Sequence, residues 1–492
     1  MKNKERSSIT QLSIMIFITM ITQLFILVRA SIVASNFGVS VELDAFNFAN
    51  SLSTLVFGFI GAGITTVLIP NLGEKEKNKS VNTFISVLFI VATTVLIIMI
   101  IFRNPIIGIF NRSSNSYFTS ICSNVSIILL ISQYLASFVG LSNAILQYKG
   151  KFNSSKLVVL FTNIFMVILL VFYTGNSING YAIAVLITSL ANVIFQFILV
   201  YKSGFKYKFY IELKDRNFRR MIMSFIPTIL STGLYQISLM VDTVIASGLG
   251  EGQISILNYS NYIIGMINML LIVNITSFLY PKIAREVKNE NSQKNLSKYI
   301  TLINAILCFV VVAFIIVGDD MLKILYMRGQ FTAQISKIVF YCTILYIVSV
   351  PVSALRDIVY KYFYANGNTF TPFKNSLLIS ILNIIISIFL SQLIGLYGVV
   401  IGTTLTSIIS LFLISIRFKK NYGIKFDRRE FFIENFKIIL INIVDVAIFI
   451  FIKSKIRFSN SFLNIIFFGI GVFIVYVILL YISRSKVFKI KL

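Results

Sequence analysis

The pentapeptide Ala34-Ser35-Asn36-Phe37-Gly38, with Pro70 downstream, returns as Ala246-Ser247-Gly248-Leu249-Gly250, with Pro281 downstream at nearly the same distance. A second pair of markers keeps the offset: Gly180 stands eight residues before Thr188-Ser189, and Gly398 stands eight before Thr406-Ser407. Both pairs lie in apolar sequence. A chain built twice from bundles of membrane helices is therefore expected, an architecture that puts the working site at the repeat interface.

The composition fixes the solvent. At 57% hydrophobic and 13% charged over 492 residues, with a mean hydropathy of +0.88, the chain is too apolar for a soluble domain. Runs of about 20 apolar residues, enough to cross a bilayer, recur along its whole length. They predict an all-α polytopic membrane protein of about fourteen transmembrane helices, arranged as two pseudosymmetric six-helix bundles plus two C-terminal helices. The expected segments are a first bundle over 1–202, a basic cytoplasmic linker over 203–217, a second bundle over 218–417, a basic hinge over 418–433 and an extra helix pair over 434–492.

Lys and Arg cluster in alternate turns: the amino terminus, the turn with Lys75, Lys77 and Lys79, the turn with Lys149 and Lys151, and the stretch from Lys202 to Arg220. By the positive-inside rule that side is cytoplasmic, so both termini fall inside a bacterial plasma membrane. Lys453, Lys455 and Arg457 sit on the wrong side and weaken the reading of the last hairpin. The net charge of +26 is spread over these turns, which points to anionic lipid headgroups and not to nucleic acid. The linker mixes Phe205, Tyr207, Phe209, Tyr210 and Ile211 with basic residues and reads as a segment lying on the inner leaflet.

Enzymatic chemistry finds no support. There is no histidine, and Cys122, Cys308 and Cys342 are scattered over separate spans. A zinc site of the usual kind, a Ser-His-Asp triad and a histidine relay are thereby set aside. The longest external loops, 103–117 and 318–334, are too short to form a domain.

Ionisable residues at membrane depth are the best pointers to function, because a charge there needs water or a partner. The candidates are Arg29 in span 1, Asp44 opening span 2, Asp242 in span 7, Arg356 and Asp357 in span 10, and Asp445 in span 13. Arg29 suits the grip of a phosphate or pyrophosphate through its planar fork of donors, or else a structural pair with Asp44. Arg356 and Asp357 suit mutual or interhelical pairing. Span 2 and its repeat mate carry matched amide stripes, Asn47 and Asn50 in one, Asn258, Asn261 and Asn268 in the other. Such amides are either inter-helix glue or the lining of a vestibule for a sugar headgroup.

The run from Arg29 to Gly38, then Leu43-Asp44-Ala45-Phe46-Asn47-Phe48-Ala49-Asn50, resembles the opening of the MurJ/MviN-type lipid II flippases. Phe363-Tyr364-Ala365-Asn366-Gly367-Asn368-Thr369-Phe370-Thr371-Pro372 is similar to that family's "FYA-x-x-D-T-x-T-P" turn. The resemblance runs from end to end and implies the multidrug/oligosaccharidyl-lipid/polysaccharide exporter superfamily. It implies a transporter that moves an undecaprenyl-pyrophosphate-linked glycan, lipid II or a related polysaccharide unit, by alternating access; a monomer is expected. Arg29, Asp44, Asn47, Asn50, Asn261 and Arg356 are the expected substrate contacts. The family's sodium site carries over onto Asp242, Asn383, Ser387, Val399 and Thr403, with Ser387 standing where an aspartate is expected, so a coupling Na+ or H+ is implied. Further cavity arginines of the family are replaced here by Val56-Phe57-Gly58 and Asn261-Tyr262-Ile263. The alternative is a cation-coupled drug exporter of the MATE type, which needs only twelve spans.

Overall fold

A computed structural model describes residues 2–72, 78–173, 177–287, 289–456 and 458–489, and these contain helices and turns but no strand. Lys75, Lys77 and Arg457 lie outside the described residues. In chain order the helices are α1 (Lys2–Phe37), α2 (Val41–Leu68), α3 (Asn78–Ile101), α4 (Arg103–Phe110), α5 (Ser116–Ser137), α6 (Val139–Tyr148), α7 (Phe152–Phe172), α8 (Ile178–Lys202) and α9 (Arg216–Ser247). They continue with α10 (Gln253–Ile267), α11 (Val273–Glu286), α12 (Ser292–Tyr326), α13 (Ala333–Ile347), α14 (Ser349–Ala365), α15 (Phe370–Ile394), α16 (Leu396–Tyr422), α17 (Arg428–Lys455) and α18 (Ser461–Ile482).

Among the described residues thirteen helical stretches are long and apolar enough to cross a membrane, and α9 adds the shorter apolar stretch Gln236–Ser247. Two expected spans, 118–147 and 335–364, are each broken in the middle: α5 gives way to α6 at Phe138, and α13 to α14 at Val348. The two breaks are offset by roughly the repeat length, so the duplication is written into helix shape as well as sequence. A π-helical turn at Asn268–Ile272 joins α10 to α11.

Local chemistry sets the helix ends. Ser40, Asn115, Ser177, Asp215, Thr332, Asp427 and Asn460 each accept a hydrogen bond from a first-turn backbone N–H with their side chains, satisfying donors that a helix cannot satisfy itself.

The chain divides into two compact units, residues 1–255 and 256–492. In the first, α1 packs on α7, and α2 is the central helix, touching α5, α6 and α9. Lipid supplies no hydrophobic drive between helices, so close contact is made by small residues. A Cβ on Gly140 would stand 2.3 Å from the Gly61 carbonyl oxygen, and Thr65 Oγ1 donates to Gly140 O across the same crossing at 3.3 Å. An apolar cluster that includes Leu68, Phe84, Phe138, Ile145, Phe218 and Phe225 packs near one end of this unit. By packing, α9 belongs to the first unit, although the sequence repeat starts its second copy there. In the second unit α15 pairs with α16, and α12 carries both α17 and α18.

The linker is more than a strip on a lipid surface. Lys208 N, Tyr210 N and Glu212 N donate to Asn82 Oδ1, Ser86 Oγ and Thr83 Oγ1 at 3.3 to 3.4 Å, and Ser80 Oγ donates to Asp215 Oδ1 at 2.7 Å. The linker backbone is thus laced along α3, while Phe209, Ile211 and Leu213 stay exposed.

Candidate functional site

In the first unit, α2 starts at the turn that ends α9. Asp44 is buried in the first turn of α2. Its Oδ2 accepts from Gly252 N at 2.6 Å, and its Oδ1 accepts from Ser255 N at 2.7 Å and Ser255 Oγ at 2.6 Å. The turn can come this close because residue 252 is glycine. Its φ is +82°, and a Cβ there would stand 2.1 Å from Val39 Cγ1, so a side chain is excluded by conformation and by space.

Three neighbouring bonds fasten the same end. Arg112 N donates to Ser247 Oγ at 3.2 Å, Asn115 Nδ2 to Glu251 Oε1 at 2.9 Å, and Tyr117 OH to Glu42 Oε1 at 3.1 Å. They surround a cavity of about 160 Å³ that Asp44, Arg112 and Glu251 help to line. The clasp is a fastening, and Asp44 has its oxygens committed to it.

Arg29 is half-buried on α1. Ala30, Val33, Ala34 and Phe37 form the buried stripe of that helix, and Phe17, Met20, Leu24 and Val28 form the exposed apolar one. At 100° per residue, Arg29 lies on neither, about a quarter-turn from the buried stripe, on the face that carries Thr22 and Asn36. Asn47 is buried on α2, and Asn50 Oδ1 accepts from Gln133 Nε2 of α5 at 3.2 Å. That bond ties α2 to α5.

In the second unit Asn261 is half-buried on α10. Arg356 turns to its neighbour: Nε and Nη2 donate to Asp357 Oδ1 at 3.0 and 2.9 Å, and the guanidinium lies 5.6 Å from the Tyr360 ring centroid. On α15 and α16, Asn383 Nδ2 donates to Thr403 Oγ1 at 3.2 Å and Thr406 Oγ1 at 3.4 Å. Ser387 and Val399 are buried in the same helix pair; a Cβ on Gly402 would stand 2.7 Å from Ser387 Oγ. Asn383 Oδ1 and Ser387 Oγ are buried without a hydrogen-bond partner. The structure thus brings together Asn383, Ser387, Val399 and Thr403, whereas Asp242 belongs to α9 of the first unit, where it is buried.

Sequence reasoning missed how the last helix pair is fixed. Lys453 Nζ donates to Asp320 Oδ2 at 2.8 Å, and Asn464 Nδ2 donates to Asp320 Oδ1 at 3.2 Å. Asp320 is 1% exposed. One charge pair and one amide therefore join α12, α17 and α18. At the other end of the hairpin Asn304 Nδ2 donates to Asn435 Oδ1 at 3.0 Å, and Lys486 N donates to Glu434 Oε1 at 2.7 Å. Lys453 is spent inside the fold, so it is no longer an anomaly of loop charge.

The comparisons with known proteins agree with this architecture. The sequence profile described as lipid II flippase MurJ matches residues 33–473. The chain belongs to the lipid II flippase MurJ family. A probable lipid II flippase MurJ of Rickettsia prowazekii (strain Madrid E) is 26% identical over 415 residues, covering 80% of each chain. One from Borreliella burgdorferi is 23% identical over 484 residues, 94% of each chain. Among solved structures, a lipid II flippase MurJ in an inward closed conformation matches with a TM-score of 0.83 at 24% identity, over 96% of this chain and 98% of its own. A multidrug resistance MATE family transporter in an inward-facing conformation matches with a TM-score of 0.64 at 16% identity, over 84% of this chain and 99% of its own. Where the resemblance leads one to expect further MurJ-family arginines, Phe57 and Ile263 are fully buried core residues here.

Proposed function

We propose that this chain is a flippase that carries an undecaprenyl-pyrophosphate-linked glycan, lipid II or a related polysaccharide unit, across the bacterial plasma membrane by alternating access. The observation that carries the reading is the family match over residues 33–473, supported by the whole-chain likeness of fold. A transporter needs no catalytic residue, and the scattered cysteines and missing histidines suit that. The MATE reading is weaker, because α17 and α18 are built into the second unit through Asp320, whereas the MATE relative covers 84% of this chain.

In this reading Arg29 grips the pyrophosphate of the cargo, a task for a planar, permanently charged fork. The Asp44 clasp closes the outer end of the first unit until cargo arrives. The α17–α18 pair, whose outward faces carry Phe462, Phe467 and Phe473, walls a groove for the polyprenyl chain. Both termini are cytoplasmic, and the exposed Phe209, Ile211 and Leu213, flanked by lysines, rest on anionic lipid. The chain works as a monomer. The orphan oxygens of Asn383 and Ser387 suit a hard monovalent cation that couples transport to an ion gradient.

The test is glycan export by Arg29 variants. Arg29→Ala abolishes export while insertion and folding persist, and Arg29→Lys restores only part, because a point charge does not replace a bidentate fork. Normal export by Arg29→Ala rejects the assignment.

A further inference from the structure

Midway along α17 the fold leaves a carboxyl group alone. Asp445 is 0% exposed, and neither of its oxygens has a hydrogen-bond partner. One turn earlier Asn442, also buried, donates from Nδ2 to Ile438 O at 2.6 Å, while its Oδ1 has no partner either. Residues three apart share a helix face, so the carboxyl oxygens of Asp445 and the amide oxygen of Asn442 lie on one face of α17, and none of the three receives a hydrogen bond. Tyr476 of α18, whose hydroxyl lies beside Asn442, donates its own proton to Ala305 O of α12 at 2.8 Å.

Among the described residues the surroundings supply no counter-charge. Toward one end are Ile438, Ile441 and Leu480; toward the other are Val312, Phe449 and Phe468. Tyr476 on α18 lies within electrostatic reach of both Asp445 and Cys308 on α12, and neither Tyr476 nor Cys308 is a cation. Along α17 the nearest cations are Lys437 and Lys453, each eight residues away, about 12 Å along the axis. Lys437 is committed to Glu434 and Ser483 O, and Lys453 to Asp320 and Ile316 O. α18 carries no Asp, Glu, Lys or Arg, and α12 carries none from 299 to 318.

A bare carboxylate among such neighbours is compensated or the helices part. We propose that Asp445 is a proton-binding site: the acid O–H donates to the orphan Oδ1 of Asn442, and the α17–α18 hairpin stays seated on α12 while that proton is held. One proton turns two of the three orphan acceptors into a hydrogen-bonded pair. A hard cation such as Ca²⁺ takes about six to eight oxygens, and only three orphans are present. Release breaks the O–H bond, sends the proton to water and leaves a carboxylate that needs hydration, so the middle of the hairpin lifts. The inference does not depend on which cargo is carried.

Amide hydrogen exchange of the full chain in lipid nanodiscs tests it, with wild type and Asp445→Asn compared at each pH so that intrinsic exchange cancels. Asparagine keeps the shape of the neutral acid and cannot lose a proton. The wild-type to variant ratio of exchange in α17 and α18 is expected to be near one in acid and to rise by up to about tenfold per pH unit once opening releases the proton, with α1–α9 unchanged. A ratio that ignores pH, or one that responds to Na⁺ at fixed pH instead, overturns the proposal. Infrared spectra provide a second measurement. A protonated-carboxyl band at neutral pH that shifts with ¹³C-aspartate, and loses that shift in Asp445→Glu, is expected; its absence in the wild type overturns the proposal even if the asparagine variant misfolds.

Discussion

Asp44→Ala is the sharpest perturbation of the first unit. The carboxyl group holds two backbone N–H groups and one hydroxyl, at 2.6 to 2.7 Å. The Ser255 hydroxyl can rotate to another acceptor, but Gly252 N–H and Ser255 N–H cannot. Stranding a buried donor costs about 1–3 kcal/mol, so the two together favour opening by about 2–4 kcal/mol after partial hydration at the turn. At 1.4 kcal/mol per tenfold, the open population of the clasp rises roughly thirty-fold to several-hundred-fold. Asp44→Asn keeps one acceptor and sets an amide donor against a backbone donor, so its effect is intermediate.

Ile254, 1% exposed beside the clasp, reports the change. Ile254→Cys in intact cells reacts slowly with a membrane-impermeant maleimide, and adding Asp44→Ala accelerates labelling by the factor above. Cys342, buried in the second unit, stays unlabelled and shows that the opening is local. Equal labelling with and without Asp44→Ala refutes the clasp.

Two further outcomes follow from the same bookkeeping of partners. Lys453→Met leaves Asp320 buried without its cation and costs about 3–5 kcal/mol, read as a fall in melting temperature in detergent; Asp320→Asn on top recovers most of it, and a double variant no better than the single breaks the assignment. Asp215 caps α9, and its hydrogen bonds from Phe218 N and Ser80 hold its carboxyl below the usual carboxylate range. The stability it adds is present above the ordinary carboxylate value and fades as pH falls through its own lower one. Asp215→Ala should cost about 1 kcal/mol near neutrality and progressively less in strong acid, measured by melting across that range, whereas a pH-independent loss contradicts the cap.

The membrane-spanning character was legible because hydropathy is a local signal, and the repeated sequence markers are accompanied by helix breaks at Phe138 and Val348. The broken helices carry sequence signals of their own. Pro351 stands in the first turn of α14, where a proline starts a helix well and continues one badly. Gly140, just past the break at Phe138, is forced by the approach of Gly61. The partners of Asp44 and Asp320 were not legible. Asp44 lies 208 and 211 positions from its donors, and Asp320 lies 133 from Lys453, and no periodicity links such residues. The same blindness made Lys453 look like a misplaced loop charge. Arg356 shows the opposite case: adjacency to Asp357 suggested pairing, and the side chains do pair.

The central claim is transport of a lipid-linked glycan, and one measurement addresses it directly. In a bacterium whose own lipid II flippase is depleted, this chain is expressed, and lipid II reaching the outer leaflet is scored by its cleavage by an added, membrane-impermeant toxin that acts on lipid II, with Arg29→Ala as the inserted but inactive control. The account predicts exposed lipid II and continued growth with the wild-type chain and neither with Arg29→Ala. If a correctly inserted wild-type chain exposes no lipid II and a related polysaccharide lipid fares no better in the matching assay, the account is contradicted.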